Sequence, residues 1–186
     1  ARDQVEQALD TLGEVDVVVN NAGILRTGPL IDHDADDFRL VMDVNLNAVF
    51  LVAQAAARRM RDRKDGPAGG VIVNMSSING IHPSPNCGAY VAAKAGVMAL
   101  TQQMSIEWGV LGIRVNAIAP GLINRAGIEE GWPEGVAAWK AAAPLGRLVD
   151  PSDIASTCVF LASPMSSSIS GTVLTVDCGL SIKPGW

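Results

Sequence analysis

An α/β fold with a parallel sheet is predicted for this 186-residue chain by three observations. Short β-branched runs bounded by Gly, Pro or Asn alternate with longer stretches of helical periodicity. Some of these runs are continuously apolar rather than alternating, the pattern of strands covered on both faces. The composition, 48% hydrophobic with 19 Gly and a single Tyr, suits a core of Ala, Val, Ile and Leu between helices and sheet. No repeat or linker interrupts the alternation, so one domain over residues 1–186 is expected.

Residues 1–12 set Val5, Leu9 and Leu12 at helical spacing, and Gly13 stops that helix. Val15 to Val19 reads as the first strand, buried on both faces. It empties into Asn20-Asn21-Ala22-Gly23, where small and amide residues let a ligand approach the backbone. Asp32, Asp34, Asp36 and Asp37 precede the next helix; acids at a helix start answer its dipole, and that account outweighs a metal. The helix is predicted from Asp37 to Arg63 with a break near Asp43–Asn45. After a Gly66–Gly70 loop comes a strand from Val71 to Ser77, then a segment broken by Gly80, Pro83, Pro85 and Gly88. A long helix follows from Tyr90 to Trp108. Gly112 to Ala117 is the third strand, leading to Pro120-Gly121. Residues 121–143, with Trp132 and Trp139, read as a mobile, partly helical insertion over the site. Pro151-Ser152-Asp153 caps a helix to Ala162, and Thr172–Val176 is the last strand, followed by Asp177-Cys178-Gly179.

Charge and cysteine usage narrow the function. The net charge is −5, and the basic cluster from Arg58 to Lys64 falls at a helix end, where cations suit the dipole, so no nucleic-acid partner is expected. No apolar stretch is expected to reach membrane-spanning length, and the amino end does not resemble a signal peptide. Cys87, Cys158 and Cys178 are odd in number and lack metal spacing, as expected of reduced thiols in a cytoplasmic protein. His33 and His82 have no companions at ligand spacing, so no metal is expected.

The chemistry concentrates between Val71 and Leu100. Tyr90 and Lys94 are four residues apart and share a helix face, and Ser77 ends the preceding strand. A hydroxyl, a phenol and an ammonium converging at a strand's carboxyl end form a candidate active site. A free phenol titrates near pH 10, too high for an efficient base, and a neighbouring ammonium is expected to lower that value. Taken singly, a Tyr-x-x-x-Lys pair is more often a packed ring beside a solvated amine, and paired serines are ordinary turn formers. A hydrolase built on Ser77 is disfavoured, because no G-x-S-x-G elbow is present and no histidine base accompanies the serine.

Seven segments together extend the argument: NNAG at 20–23, DVNLNAVF at 43–50, NMSS at 74–77, YVAAK at 90–94, RVNAIAPG at 114–121, PSDIA at 151–155 and SGTVLTVDCG at 170–179. In order and spacing they closely resemble the short-chain dehydrogenase/reductase family over essentially the whole chain. The resemblance implies a Rossmann-like parallel sheet with helices on both faces, and an NAD(P)-dependent oxidoreductase that interconverts an alcohol and a carbonyl. It implies Tyr90 as general acid/base, Ser77 orienting the substrate oxygen, and Lys94 holding the nicotinamide ribose and lowering the Tyr90 pKa. Asn45 would position a water linking Lys94 to solvent. Asn21, Ala22, Gly23, Pro120, Gly121 and Ile123 would line the cleft for NAD or NADP, with Ile123 meeting the carboxamide. The substrate would be a small-molecule alcohol or ketone in a pocket walled by Ile81, Trp132 and Trp139. Helices matching 43–63 and 90–108 would build a homodimer or homotetramer.

The family's first strand, its Gly-rich phosphate turn and the second strand do not appear in this sequence, so the expectation is the carboxyl-terminal portion of a doubly wound domain. The alternative is a truncated, non-catalytic subunit serving as an oligomerisation module. Two smaller departures are Arg125, where the family often has Thr, and Cys178, where a second glycine is usual.

Overall fold

The computed structural model describes residues 2–63 and 69–182. Strands β1 (Val17–Asn20), β2 (Gly70–Met75), β3 (Ile113–Pro120) and β4 (Val173–Val176) form one sheet in that spatial order. Every neighbouring pair is parallel, as the alternation predicts, since parallel neighbours require crossovers and helices supply them. The register pairs Asn20 with Asn74, Asn74 with Ala117, and Ala117 with Val173, which brings the carboxyl ends of the strands together.

Alternation along β2 divides the core. Ile72 faces Ala53, Ala56 and Met60 of α3 (Ala48–Arg61) and Met104 of α4 (Gly88–Trp108). Val71, Val73 and Met75 face the other way, toward Leu161, Ile154 and Phe160 of α7 (Pro151–Ala162). Polar residues inside this core are paired, as burial demands. The Asn20 amide donates to Asn74 Oδ1 at 2.8 Å, and the Asn74 amide donates to Thr101 Oγ1 at 2.9 Å, tying β1 to β2 and β2 to α4. At the other edge Arg114 donates to the Leu161 carbonyl at 2.9 Å and to the Ile169 carbonyl at 3.2 Å, which ties β3 to the end of α7.

The first strand departs from expectation. Val17 and Val19 are 42% and 43% exposed, because β1 pairs with β2 alone and no described residue covers their face. The helix predicted from Asp37 to Arg63 runs instead through α2 (Ala35–Met42), a π turn (Asp43–Asn47) and α3. It starts earlier because the Asp34 carboxylate accepts from the Asp36 and Asp37 amides at 2.8 and 3.0 Å. Those two donors hold the Asp34 pKa below its ordinary value. The expected break is a local widening of a continuous helix, a feature common at functional sites. Joined in this way, Ala35–Arg61 is long and apolar enough by composition to cross a membrane, contrary to expectation. Its apolar residues are used within the fold: Val41, Ala53, Ala56 and Met60 are fully buried.

The basic cluster is structural where it is described. Arg59 bridges Glu6 at 2.6 Å and Asp10 of α1 (Arg2–Leu12), and Arg63 meets Asp16 at 2.7 Å. Lys64 and most of the Gly66–Gly70 loop lie outside the described residues. The insertion at 121–143 contains α5 (Ile128–Gly131) and α6 (Pro133–Ala142). Ile128, Val136 and Leu148 form a small core there with Leu122 and Trp139, so this segment is a packed wall. Ile123 pairs with Val149 beneath it. Cys178 has a φ of 59°, in the left-handed region where glycine is the easy choice, which accounts for that family preference.

Candidate active site

A cleft of about 1410 Å³ opens at the carboxyl ends of the strands. Of the residues expected there, Asn21, Gly23, Ser77, Tyr90, Lys94, Pro120, Gly121 and Ile123 line it. Ala22 is exposed and is not part of the lining, and Asn45 lies beneath the floor, fully buried. Trp132 and Trp139 line the wall as expected; Ile81 does not, and its neighbours Ile78 and His82 line the cleft instead.

The two serines ending β2 divide their work. Ser76 is buried and donates to the Lys94 carbonyl at 2.8 Å, while Lys94 Nζ donates to the Met75 carbonyl at 2.8 Å. These two bonds lace the strand end to α4 and set where Lys94 enters the cleft. Ser77, one residue on, has extended backbone, and its hydroxyl accepts from the Asn79 amide at 3.2 Å. Tyr90 and Lys94, one helical turn apart, line the same cleft beside Ser77, with Nζ 5.6 Å from the phenol ring centroid.

Burial governs the titration of this pair. Loss of solvent pushes Tyr90 above its ordinary value, an effect the neighbouring Ser77 hydroxyl offsets in part. The same cause lowers Lys94 to about 8. The expected depression of Tyr90 by Lys94 is therefore not seen in this geometry: the ammonium is turned to the Met75 carbonyl, and desolvation dominates.

Asn45 acts through its side chain on the backbone. Its Oδ1 accepts from the Ile24 amide and its Nδ2 donates to the Ile24 carbonyl, both at 2.8 Å. This clasp holds the β1 turn against the π turn and occupies the Asn45 side chain that was expected to position a water. Asn45→Ala removes both bonds beneath the cleft; the expected loss is about 2–3 kcal/mol, read as a thermal midpoint lowered by roughly 4–12 °C. An unchanged midpoint would contradict the clasp.

The residues present fit the nicotinamide–ribose end of a dinucleotide. At Gly23 a Cβ would sit 3.1 Å from Asn45 Oδ1 and 3.5 Å from Lys94 Nζ, so the missing side chain leaves room beside the ammonium. At Gly121 a Cβ would meet the Trp139 ring at 2.6 Å and the Asp177 Cα at 2.9 Å. Among the described residues Lys94 makes one bond of the three its ammonium can donate, leaving donors for ribose hydroxyls. Gly121→Val is expected to displace Trp139 and cost about 1–3 kcal/mol, measurable by urea unfolding; full stability would mean that the wall gives way easily.

Asn79, His82 and Ser84 also line the cleft, and sequence reasoning did not single them out. Their only signal is position, in the loop directly after β2, where ligands meet α/β sheets.

Comparison with known proteins agrees with this geometry. A family model described as enoyl-(acyl carrier protein) reductase matches residues 1–181. The chain is 40% identical over 183 residues to 3beta-hydroxysteroid dehydrogenase 1 of Eggerthella lenta, covering 97% of this chain and 69% of that protein. It is 41% identical over 178 residues to 3-oxoacyl-(acyl-carrier-protein) reductase FabG of Chlamydia muridarum, covering 95% and 70%. Among solved structures, a gluconate 5-dehydrogenase from Burkholderia cenocepacia in complex with NADP and tartrate superposes with a TM-score of 0.88 at 33% identity, covering 97% of this chain and 70% of that one. A short-chain type dehydrogenase/reductase from Mycobacterium marinum gives the same TM-score of 0.88 at 34% identity, covering 98% and 73%. These relatives are oxidoreductases, which favours the enzyme over a non-catalytic interaction module. The chain belongs to the short-chain dehydrogenase/reductase family, whose enzymes interconvert alcohols and carbonyls with NAD or NADP.

Proposed function

We propose that this chain catalyses reversible carbonyl–alcohol interconversion through Tyr90, Ser77 and Lys94. The observation that carries the reading is their convergence in one cleft at the strand ends. Asn21, Gly23, Pro120, Gly121 and Ile123 are the proposed cofactor contacts. Bound there, the dinucleotide supplies or accepts the hydride. In the reducing direction the Tyr90 phenol, protonated at neutral pH and held more firmly so by burial, donates its proton to the carbonyl oxygen. The Ser77 hydroxyl donates to that same oxygen and orients it. Lys94 holds the ribose hydroxyls and places a positive charge beside the phenol as the proton leaves. In the oxidising direction Tyr90 takes the alcohol proton back.

The same reading takes the chain as a single Rossmann-type domain acting in the cytoplasm on a small-molecule alcohol or ketone, with neither nucleic acid nor membrane as partner. A homodimer or homotetramer through α3 and α4 is part of the proposal, supported by the shallow groove between Leu46, Phe50, Gly96 and Leu100. The test is a panel of hydroxysteroids, 3-oxoacyl thioesters and sugar acids, each with NAD, NADP and their reduced forms, followed by nicotinamide absorbance. Turnover of at least one alcohol–ketone pair is the expected result. No turnover across the panel, together with no calorimetric binding of either dinucleotide, would overturn the reading.

A further inference from the structure

The cleft carries a charge pattern that the catalytic residues do not explain. The chain has 19 Asp and Glu against 14 Lys and Arg. Among the described residues, however, no carboxylate lines the cleft, and its cations are Lys94 and Arg125. Lys94 is 3% exposed and donates to the Met75 carbonyl. Arg125 is exposed and has no ion pair or side-chain hydrogen bond among the described residues. Most arginines elsewhere are occupied: Arg26, Arg39, Arg59, Arg61, Arg63 and Arg147 face carboxylates, and Arg114 is held by carbonyls; Arg2 and Arg58, which share the lack of a partner among the described residues, lie outside the cleft.

The backbone around Arg125 is held from both sides. Asn124 donates its amide to the Val149 carbonyl at 2.8 Å and its side-chain amide to Asp150 at 3.1 Å. On the other side the Arg125 carbonyl accepts from the amide of buried Ile128 at 3.1 Å. A guanidinium thus stands on an anchored stretch in a cleft without acids, its donors unused. Such a group recognises planar or tetrahedral oxyanions.

We infer that Arg125 anchors an anion in this cleft, and that the anion is the diphosphate of the bound dinucleotide. The inference rests on the cofactor reading above. Arg125 is two positions beyond Ile123, at most about 7 Å of chain. A contact from Ile123 to the nicotinamide and from Lys94 to its ribose leaves the diphosphate as the next group along the ligand, and it is the one bearing charge. A carboxylate on the substrate has the same chemistry and is the competing source.

The test is calorimetric titration of NADH and NADPH into wild-type protein, Arg125→Gln and Arg125→Lys at several salt concentrations. Nicotinamide riboside, which has no phosphate, is the control ligand. Arg125→Gln is expected to weaken dinucleotide binding about tenfold or more, to flatten its salt dependence, and to leave riboside binding unchanged. Arg125→Lys should recover part of the loss. Inorganic pyrophosphate should compete with NADH for the wild type and much less for Arg125→Gln. Equal affinity and salt dependence in wild type and Arg125→Gln would overturn the inference, as would an equal loss for the riboside. Unchanged dinucleotide binding with weakened tartrate binding to the protein–cofactor complex would also overturn it, moving the anchor to the substrate. Absence of dinucleotide binding by the wild type would instead sink the cofactor reading, and this inference with it.

Discussion

Tyr90→Phe is expected to lower turnover about 10²–10⁴-fold, the span typical of losing a general acid, while dinucleotide affinity changes little. The substitution deletes one hydroxyl and keeps the ring that packs with Ala89, Ala93 and Val41. Fold and cleft shape should therefore survive, which near-identical far-ultraviolet dichroism and thermal midpoint would verify. No second tyrosine exists to take over the proton. The pH dependence has a definite sign. Burial raises the Tyr90 pKa above its ordinary value, so the protonated, reduction-competent form persists through neutral pH, and oxidation should accelerate as pH rises toward the phenol's titration. Near-wild-type turnover in Tyr90→Phe would remove Tyr90 from the mechanism. A parallel loss in Ser77→Ala alone would then point to the serine as the principal group.

Lys94→Ala is expected to act on binding and turnover together: dinucleotide affinity falls roughly tenfold or more as charge-assisted bonds are lost, and turnover falls further. The ammonium is inserted between β2 and α4, and the ligand-free pKa of about 8 gives the profile its direction. Dinucleotide binding should be strongest below pH 8, where Lys94 is charged, and weaken as pH rises through that value in the wild type but not in Lys94→Ala. The sign for stability is opposite. An unfolded lysine titrates near pH 10.4, above the folded value, so between these two values the unfolded chain holds more protons than the folded one. The contribution of this residue to stability therefore rises with pH across that window. Chemical denaturation from pH 7 to 10 should show a positive slope in the wild type that shrinks in Lys94→Met. Normal dinucleotide binding by Lys94→Ala would argue against the ribose contact.

Much of this molecule was legible in one dimension because its strands and helices have distinct periods. Continuous β-branched runs located four strands, and Gly13, Pro120 and Pro151 marked where elements stop or start. Ser77, Tyr90 and Lys94 were legible because a strand end and a four-residue helical step place side chains predictably. The difference between Ser76 and Ser77 was not. Both follow β2, and only the approach of α4 decides that one hydroxyl is consumed by the Lys94 carbonyl while the other remains at the cleft. The same holds at Asp43–Asn47, where a local sequence that looks like a helix break is carried through as a π turn because Asn45 is clasped to Ile24, 21 residues away.

By itself, then, the sequence determined the alternation of elements, the parallel sheet, the three side chains proposed to act in the cleft and the family they imply. These are properties of local pattern and spacing. The tertiary structure decided what depends on long-range burial. It set the titration of Tyr90 and Lys94 in opposite directions by desolvation, exposed one face of β1, and turned residues 121–143 into a packed wall. Among the described residues it also left Arg125 without an acidic partner, in a cleft lined by residues at the ends of β1, β2 and β3 and by the segment after β4. Solvent access and charge environment are created only when distant segments meet, so no reading of neighbours along the chain can supply them.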